Sequence, residues 1–530
     1  MYPSFLACGS KRVRAWVWKS QLVAALFVLA GPICSGAVSS GKAILSDSIR
    51  ELPGVVSGPQ DPHRPFISRR ALSSSESGAL MEFEVALKMR NFPELQQRVG
   101  RGELISAQEM AAKYNPLPAD EQAVADWLKG LGFTLTRRDS NCLAVFARGT
   151  VAQIQSALQV DFARVSLEGT EYTSAITAPT VPATIAPLLV GINGLQPHMR
   201  AHKHVLKPMS LNNGGAPYLP SQIAAAYSAT GLYTSNITGA GQCIAVVIDT
   251  LPAKSDLTSF WSTYGVNQSI NNISFITVVS GGTGDLTEAT LDTEWASSIA
   301  PGAQVRVYAT SDLSFGNTDK AYQQIITDVE NNVPIHQLSL SYGAGEISPV
   351  PISTAQINTD SQLFATLAGK GVSVFAASGD GGSTPDGSGG TTGPKQVQYP
   401  ASDPSVTGVG GTTLQTGYYN AGQIVETGWS LSGGGLSTLA RPNWQTGITG
   451  MPGGTQRAVP DVACAADPNY GAVLFVNGQP LRLGYGEGGT SWSTPTWAAF
   501  CALINQARAS AGLGPIGALN SSLYSVYSGA

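Results

Sequence analysis

The chain has 530 residues, enough for two or three domains, and 43% apolar content, as in a globular protein, with only 12% charged residues and 60 glycines. From residue 216 onward 9 Lys or Arg face 19 Asp or Glu, a balance of −10, whereas the first 215 residues carry +6; either the opposite signs help the two parts dock, or the basic excess merely reflects the leader and a linker. Basic residues are not clustered beside aromatics, which argues against a nucleic-acid binder, and six cysteines are too sparse for a disulfide scaffold or a zinc site, although a Cys464–Cys501 bond is permitted.

Lys11, Arg12, Arg14 and Lys19 precede an apolar run at 22–33, and small residues follow at Ser35 and Ala37. This reads as a signal peptide over 1–37, and hence export to the extracellular space or periplasm. The run is short for a membrane span, and no later segment is long and apolar enough, so no stable membrane association is expected. Residues 38–78, rich in Ser, Pro and Arg, read as a flexible lead-in. Over 79–197 the pattern predicts a strand at 80–89 and helices at 93–99, 106–114 and 118–131. A hairpin at 133–148, a helix at 151–158 and a hairpin at 162–174 follow. Such mixing predicts a small antiparallel α+β domain. Residues 198–217, HMRAHKHVLKPMSLNNGGAP, read as an exposed, basic linker open to proteolytic separation.

From 218 the pattern changes. Apolar runs at 243–248, 304–308, 337–340 and 372–377 suit strands buried on both faces. Helical stretches at 287–299, 318–330, 353–369 and 491–509 separate or follow them. This predicts an α/β domain over 218–530 with a mostly parallel sheet and its site at the strands' carboxyl ends.

Three segments carry chemistry. In Gly489-Thr490-Ser491-Trp492-Ser493-Thr494-Pro495 a glycine turn delivers Ser491 to a helix start, with Pro495 expected in the first turn, where no N–H is needed. A serine so placed can attack, or simply cap the helix. It needs a base, yet the five histidines leave only His336 inside the α/β domain. Carboxylates offer a substitute: Glu288 and Asp292, four apart, share a helix face with Trp295 and would titrate as a pair if buried. Asp380 follows the run 372–377, where it can hydrogen-bond an oxyanion only when protonated, or can be an ordinary turn residue.

These residues resemble the sedolisins, or serine-carboxyl peptidases, with a pro-kumamolisin-type activation domain over 79–197. E-x-x-L-D carries over as Glu288 and Asp292, S-G-D as Asp380, and G-T-S-x-x-x-P as Ser491. SLSYGAGE at 339–346, YPASDPSVTGVGGTTL at 399–414 and RAVPDVACAADP at 457–468 add to the match. The resemblance implies a subtilisin-like sheet behind a ferredoxin-like prodomain. It also implies a secreted, acid-active endopeptidase zymogen that acts on polypeptides and is held by its own prodomain. Ser491 would attack, Glu288 take its proton, Asp292 orient Glu288, and Asp380 hold the oxyanion. By analogy with subtilisins, Ser341, Tyr342 and Gly343 would pair with the substrate backbone. The family more often has Trp where Tyr342 stands.

The family's calcium loop near the C-terminus uses Asp carboxylates, and residues 492–530 contain no Asp or Glu. The expectation is therefore no cofactor identifiable in this chain, the calcium site being absent with a truncated C-terminus. Two other readings stand beside the endopeptidase: a tripeptidyl-type exopeptidase, and an inactive truncated relic acting only as a folded binding protein.

Overall fold

Cys243–Ile248 is buried at every position, so it can only be an interior strand. It pairs in parallel with Gln304–Ala309 on one side and Ile335–Leu340 on the other. In this computed structural model, which describes residues 41–51, 68–167, 169–205, 217–282, 284–347, 351–386, 390–417, 423–481 and 486–529, the sheet grows outward from that strand. Ile273–Thr277 lies beyond Gln304–Ala309; Ser373–Ala377, Val406–Gln415 and the antiparallel Val425–Gly428 follow Ile335–Leu340. Val462–Ala465 pairs in parallel with Val406–Gln415 and completes eight strands. Helices Thr287–Ile299, Phe315–Glu330, Thr354–Gly369 and Thr490–Ser510 stand where the sequence predicts them, within three residues. The mostly parallel, helix-flanked α/β sheet is the expected one.

The N-terminal sheet is antiparallel, ordered Thr134–Arg138, Ala144–Thr150, Leu80–Leu87, Leu189–Asn193. With helices Pro118–Gly130 and Val151–Leu158 it gives the β-α-β-β-α-β ferredoxin-like order, with a hairpin, Phe162–Leu167 and Thr170–Ala175, inserted before the last strand. Alternation along Leu80–Leu87 divides its faces. Phe83, Val85 and Leu87 enter the prodomain's own core with Val124, Leu128 and Ile154. Glu82 and Glu84 point the other way, to Lys320 and Asp319 of the peptidase domain. Met89 N–H donates to Gln362 Oε1 at 2.7 Å, Gln362 Nε2 returns to Leu87 O at 2.9 Å, and Ile105 N–H donates to Gly369 O at 2.7 Å. Met89, Leu95, Val99 and Ile105 join the peptidase's hydrophobic core.

The lead-in differs from its expectation. Lys42–Ile44 pairs with Thr180–Pro182, Ser68–Arg70 pairs with the Phe162–Leu167 strand, and Ser74–Gly78 is a helix with a capping box. Polar composition did not prevent order here, because backbone pairing and the Arg70–Glu76 and Arg70–Glu171 ion pairs fix these segments. The proposed signal peptide, residues 1–37, and linker residues 206–216 lie outside the described residues. No helix among the described residues is long and apolar enough to cross a membrane. Cys142, Cys243, Cys464 and Cys501 are free thiols, so the permitted Cys464–Cys501 bond is not made.

Candidate active site

Asp249, Ser341 and Asp380 each sit just past the carboxyl end of a parallel strand, where the sheet leaves a crevice. Gly489 brings Ser491 to the same place. Gly489 has φ +94°, and a Cβ there would lie 2.1 Å from His204 O and 2.4 Å from Asp380 Oδ2, so only glycine fits. The helix then begins at Thr490. Pro495 is not in its first turn, as expected from sequence, but inside it. It has no N–H for the Ser491 carbonyl, and Ser341 Oγ reaches that oxygen at 3.4 Å instead.

Glu288, Asp292, Asp380 and Ser491 come together in the crevice, all buried. Asp292 Oδ1 accepts from Ser341 Oγ at 2.6 Å, while Asp292 Oδ2 and both Glu288 oxygens have no hydrogen bond. The Ser491 hydroxyl faces Glu288 closely enough to favour its ionised form. In this arrangement it donates to Ser341 O across 3.4 Å. Burial, and then the Asp292 charge, raise Glu288 well above the usual carboxylate range. Burial pushes Asp292 up to about 8 and Asp380 up to about 7. Asp380 Oδ1 accepts from Thr490 N–H at 2.8 Å and Thr490 Oγ1 at 2.9 Å, which oppose that rise, and Oδ2 is left free toward Gly489. Two carboxyls on one buried helix face are stable together only if they hold a proton between them. Trp295, on the same helix, donates Nε1–H to Val473 O at 3.0 Å and packs edge-on against Trp492.

His336 is at the start of Ile335–Leu340, bonded to Gln242 Oε1 at 2.9 Å. Ser341 is beyond the other end of that strand, roughly 16 Å away at ~3.3 Å per residue, so His336 is not the base. Tyr342 and Gly343 begin the strand Tyr342–Gly345, which pairs with Gln398–Tyr399. The Tyr342 hydroxyl meets that of Tyr322 at 2.8 Å.

The free edge of that strand is occupied by the linker, expected to be exposed. His202–Lys203 pairs antiparallel with it, His202 opposite Gly343 and Lys203 opposite Tyr342. His204 N–H donates to Ser341 O at 3.2 Å. Basic residues of the linker find acidic partners: Lys203 Nζ is 2.7 Å from Asp249 and Arg200 is 3.6 Å from Asp312. His198 and His204 are buried. Lys203, Asp249 and Thr490 were missed as site residues by sequence reasoning. Only Thr490 had a signal, its place in the Gly489–Pro495 motif.

Among the described residues, no group of three or more His, Cys, Asp or Glu side chains is arranged to hold a metal ion.

The pro-kumamolisin activation domain family matches residues 69–197, and the subtilase family matches residues 242–516. Kumamolisin of Bacillus sp. (strain MN-32) is 30% identical over 451 residues, 79% of this chain and 77% of the relative. Sedolisin of Pseudomonas sp. (strain 101) is 26% identical over 477 residues, 82% of this chain and 77% of its own. Tripeptidyl-peptidase 1 of Mus musculus is 27% identical over 488 residues, 83% and 81% of the two chains. With its activation domain ahead of a subtilisin-like body, the chain belongs to the sedolisin family of serine-carboxyl peptidases, as a protease zymogen.

Proposed function

We propose that the protein is a secreted, acid-active endopeptidase that cuts peptide bonds through Ser491, Glu288, Asp292 and Asp380. Ser491 attacks the scissile carbonyl and forms an acyl-enzyme. Glu288 accepts the hydroxyl proton and returns it to the leaving amine; Asp292, fixed by Ser341, orients Glu288 and shares its proton. Asp380 Oδ2, protonated, donates to the developing oxyanion. The observation that carries this reading is the convergence of the free Asp380 Oδ2 and a peptide carbonyl, His204 O, on the space at Gly489, beside the Ser491 helix start. Both oxygens lie within 2.4 Å of the position that a Cβ on Gly489 would take, and a carboxyl there can donate to a carbonyl oxygen only when it bears a proton. Activity is then present while Asp380 keeps its proton and is lost as pH rises through about 7.

An endopeptidase is favoured over a tripeptidyl exopeptidase by the path of the linker. Upstream of His204 it continues past three residues without obstruction: Ala201 N–H donates to Leu313 O at 3.0 Å, and Arg200 bridges Ser314. The prodomain is the intramolecular inhibitor, its linker lying where substrate would lie. Export rests on the leader-like composition of residues 1–37.

The test is self-processing of the purified full chain at pH 3–5. Wild type should separate into prodomain and peptidase, and Ser491→Ala should stay whole. If both stay whole, or both are cut alike, the reading fails, and an inactive folded protein remains.

A further inference from the structure

Ser341 and Tyr342 follow the strand Ile335–Leu340, and their side chains leave on opposite sides, as alternation along an extended segment requires. Ser341 Oγ donates to Asp292 Oδ1 at 2.6 Å on the helix Thr287–Ile299, and lies 3.4 Å from Ser491 O on the helix Thr490–Ser510. The Tyr342 hydroxyl meets the Tyr322 hydroxyl at 2.8 Å on the helix Phe315–Glu330. The segment is thus held from both faces of the sheet. Its backbone is also where an extended peptide and the attacking serine meet. Ser341 O accepts from His204 N–H at 3.2 Å and from the Ser491 hydroxyl at 3.4 Å, and Tyr342 and Gly343 lie opposite Lys203 and His202. An error of position there reaches Asp292, Ser491 and the bound chain together.

The two tyrosines are buried, at 2% and 1% exposure, and a hydroxyl in such surroundings needs a partner. Burial raises both well above the usual phenol range, so both stay neutral and pair as donor and acceptor. The Tyr322 ring is itself fixed, 5.0 Å from that of Phe364 on the helix Thr354–Gly369. With Tyr at 342, where the family more often has Trp, the tie on this face is made by a hydroxyl, and Tyr322 supplies the other half.

We propose that Tyr322 is a positioning residue for peptide-bond hydrolysis. Through the Tyr342 hydroxyl it fixes the 341–343 backbone, on which the bound peptide and Ser491 are aligned. It touches neither the substrate nor the reacting atoms, and it acts only through Tyr342. The proposal rests on the peptidase activity proposed above.

The test compares processed wild type with Tyr322→Phe, Tyr342→Phe and the double variant, on fluorescein-labelled, acid-denatured haemoglobin at pH 4. Each single variant leaves one buried hydroxyl unpaired and should melt lower. The double variant replaces both by rings of the same shape and should melt within ~2 °C of wild type. In all three, KM should rise by ~5-fold or more and kcat should fall, because a displaced edge aligns peptide and nucleophile poorly. A packing role alone would lower only the amount of active enzyme, with KM unchanged, and the double variant would cure it. Wild-type KM and kcat in the double variant therefore overturn the positioning role while the peptidase reading stands. No hydrolysis by wild type fails the peptidase reading, and the proposal with it.

Discussion

Glu288, Asp292 and Asp380 are raised first of all by burial, yet their free oxygens differ in what they can do. Glu288 has both oxygens unbonded and can accept from Ser491; Asp292 has one held by Ser341; Asp380 has one held by Thr490 and one without a hydrogen bond beside Gly489. Glu288→Gln keeps the shape but cannot take a proton, so self-processing should slow by ~10³-fold or more, read as half-life at pH 4. Asp380→Ala removes the oxyanion donor and should cost ~10²–10³-fold. Asp380→Asn should lose less, because Nδ2–H donates at every pH while Oδ1 still accepts from Thr490. Its pH–rate profile should lack the decline near pH 7 that wild type shows. A normal rate in Glu288→Gln, or an unchanged decline in Asp380→Asn, would remove that residue from the mechanism.

At the scale of elements, the start of the Thr490–Ser510 helix matters most. Gly489 supplies a positive φ and the space for two oxygens, and Thr490 ties the helix to the Ser373–Ala377 strand end through Asp380 and Gly379 N–H. Gly489→Ala would strain the backbone by ~1–3 kcal/mol, since φ +94° with ψ 167° is open essentially to glycine alone, and push a methyl group into the linker carbonyl. Self-processing should fall below detection, while circular dichroism still reports the folded α/β signature and the melting point drops a few degrees. Normal processing in that variant would mean that the scissile carbonyl does not lie there.

Across the whole molecule, a second carboxyl cluster joins prodomain to peptidase. Glu84 is in hydrogen-bond contact with Asp319, and Asp319 with Asp360; Asn193, Gln356, Lys320 and Asp403 also act on them, the Asp403 charge raising Asp360. Burial raises Glu84 and Asp319 well above the usual range and Asp360 up to about 8. The folded precursor thus holds protons that the unfolded chain releases above pH ~4. Stability from these groups is fully present below that pH and is lost as pH rises toward 8. Buried His198 and His204, lowered to about 4 and about 3 mainly by burial, act oppositely, but only below about 6.5. Between pH 6.5 and 8 the carboxyls act without that offset. The melting temperature of the Ser491→Ala precursor should therefore fall by about 5 °C or more over that range, at ~1.4 kcal/mol per pH unit for each retained proton. Glu84→Gln should flatten the fall, and a melting point that rises with pH there would contradict the shared-proton interface. The charge asymmetry of the sequence only partly describes this docking: Lys203–Asp249 follows it, whereas Glu82–Lys320 runs the opposite way and the central cluster is acid against acid.

Much of this was legible from sequence because it is local. The buried strand Cys243–Ile248, the helix Thr287–Ile299 with Glu288 and Asp292 on one face, and the Gly489–Pro495 motif are written in contiguous residues whose periodicity and turn chemistry fix them. The scarcity of histidines in the α/β domain, His336 alone, already pointed away from a histidine base. What contiguous sequence does not encode is which distant groups meet. The partnership of Asp380 with Thr490, the burial that raises the carboxyls, and the chain of Glu84, Asp319 and Asp360 exist only when the two domains close on one another. The linker shows the division most clearly. Its basic composition predicted exposure, but backbone pairing with Tyr342–Gly343 and the charge of Asp249 draw it into the crevice, and only that tertiary register sets His204 against the site.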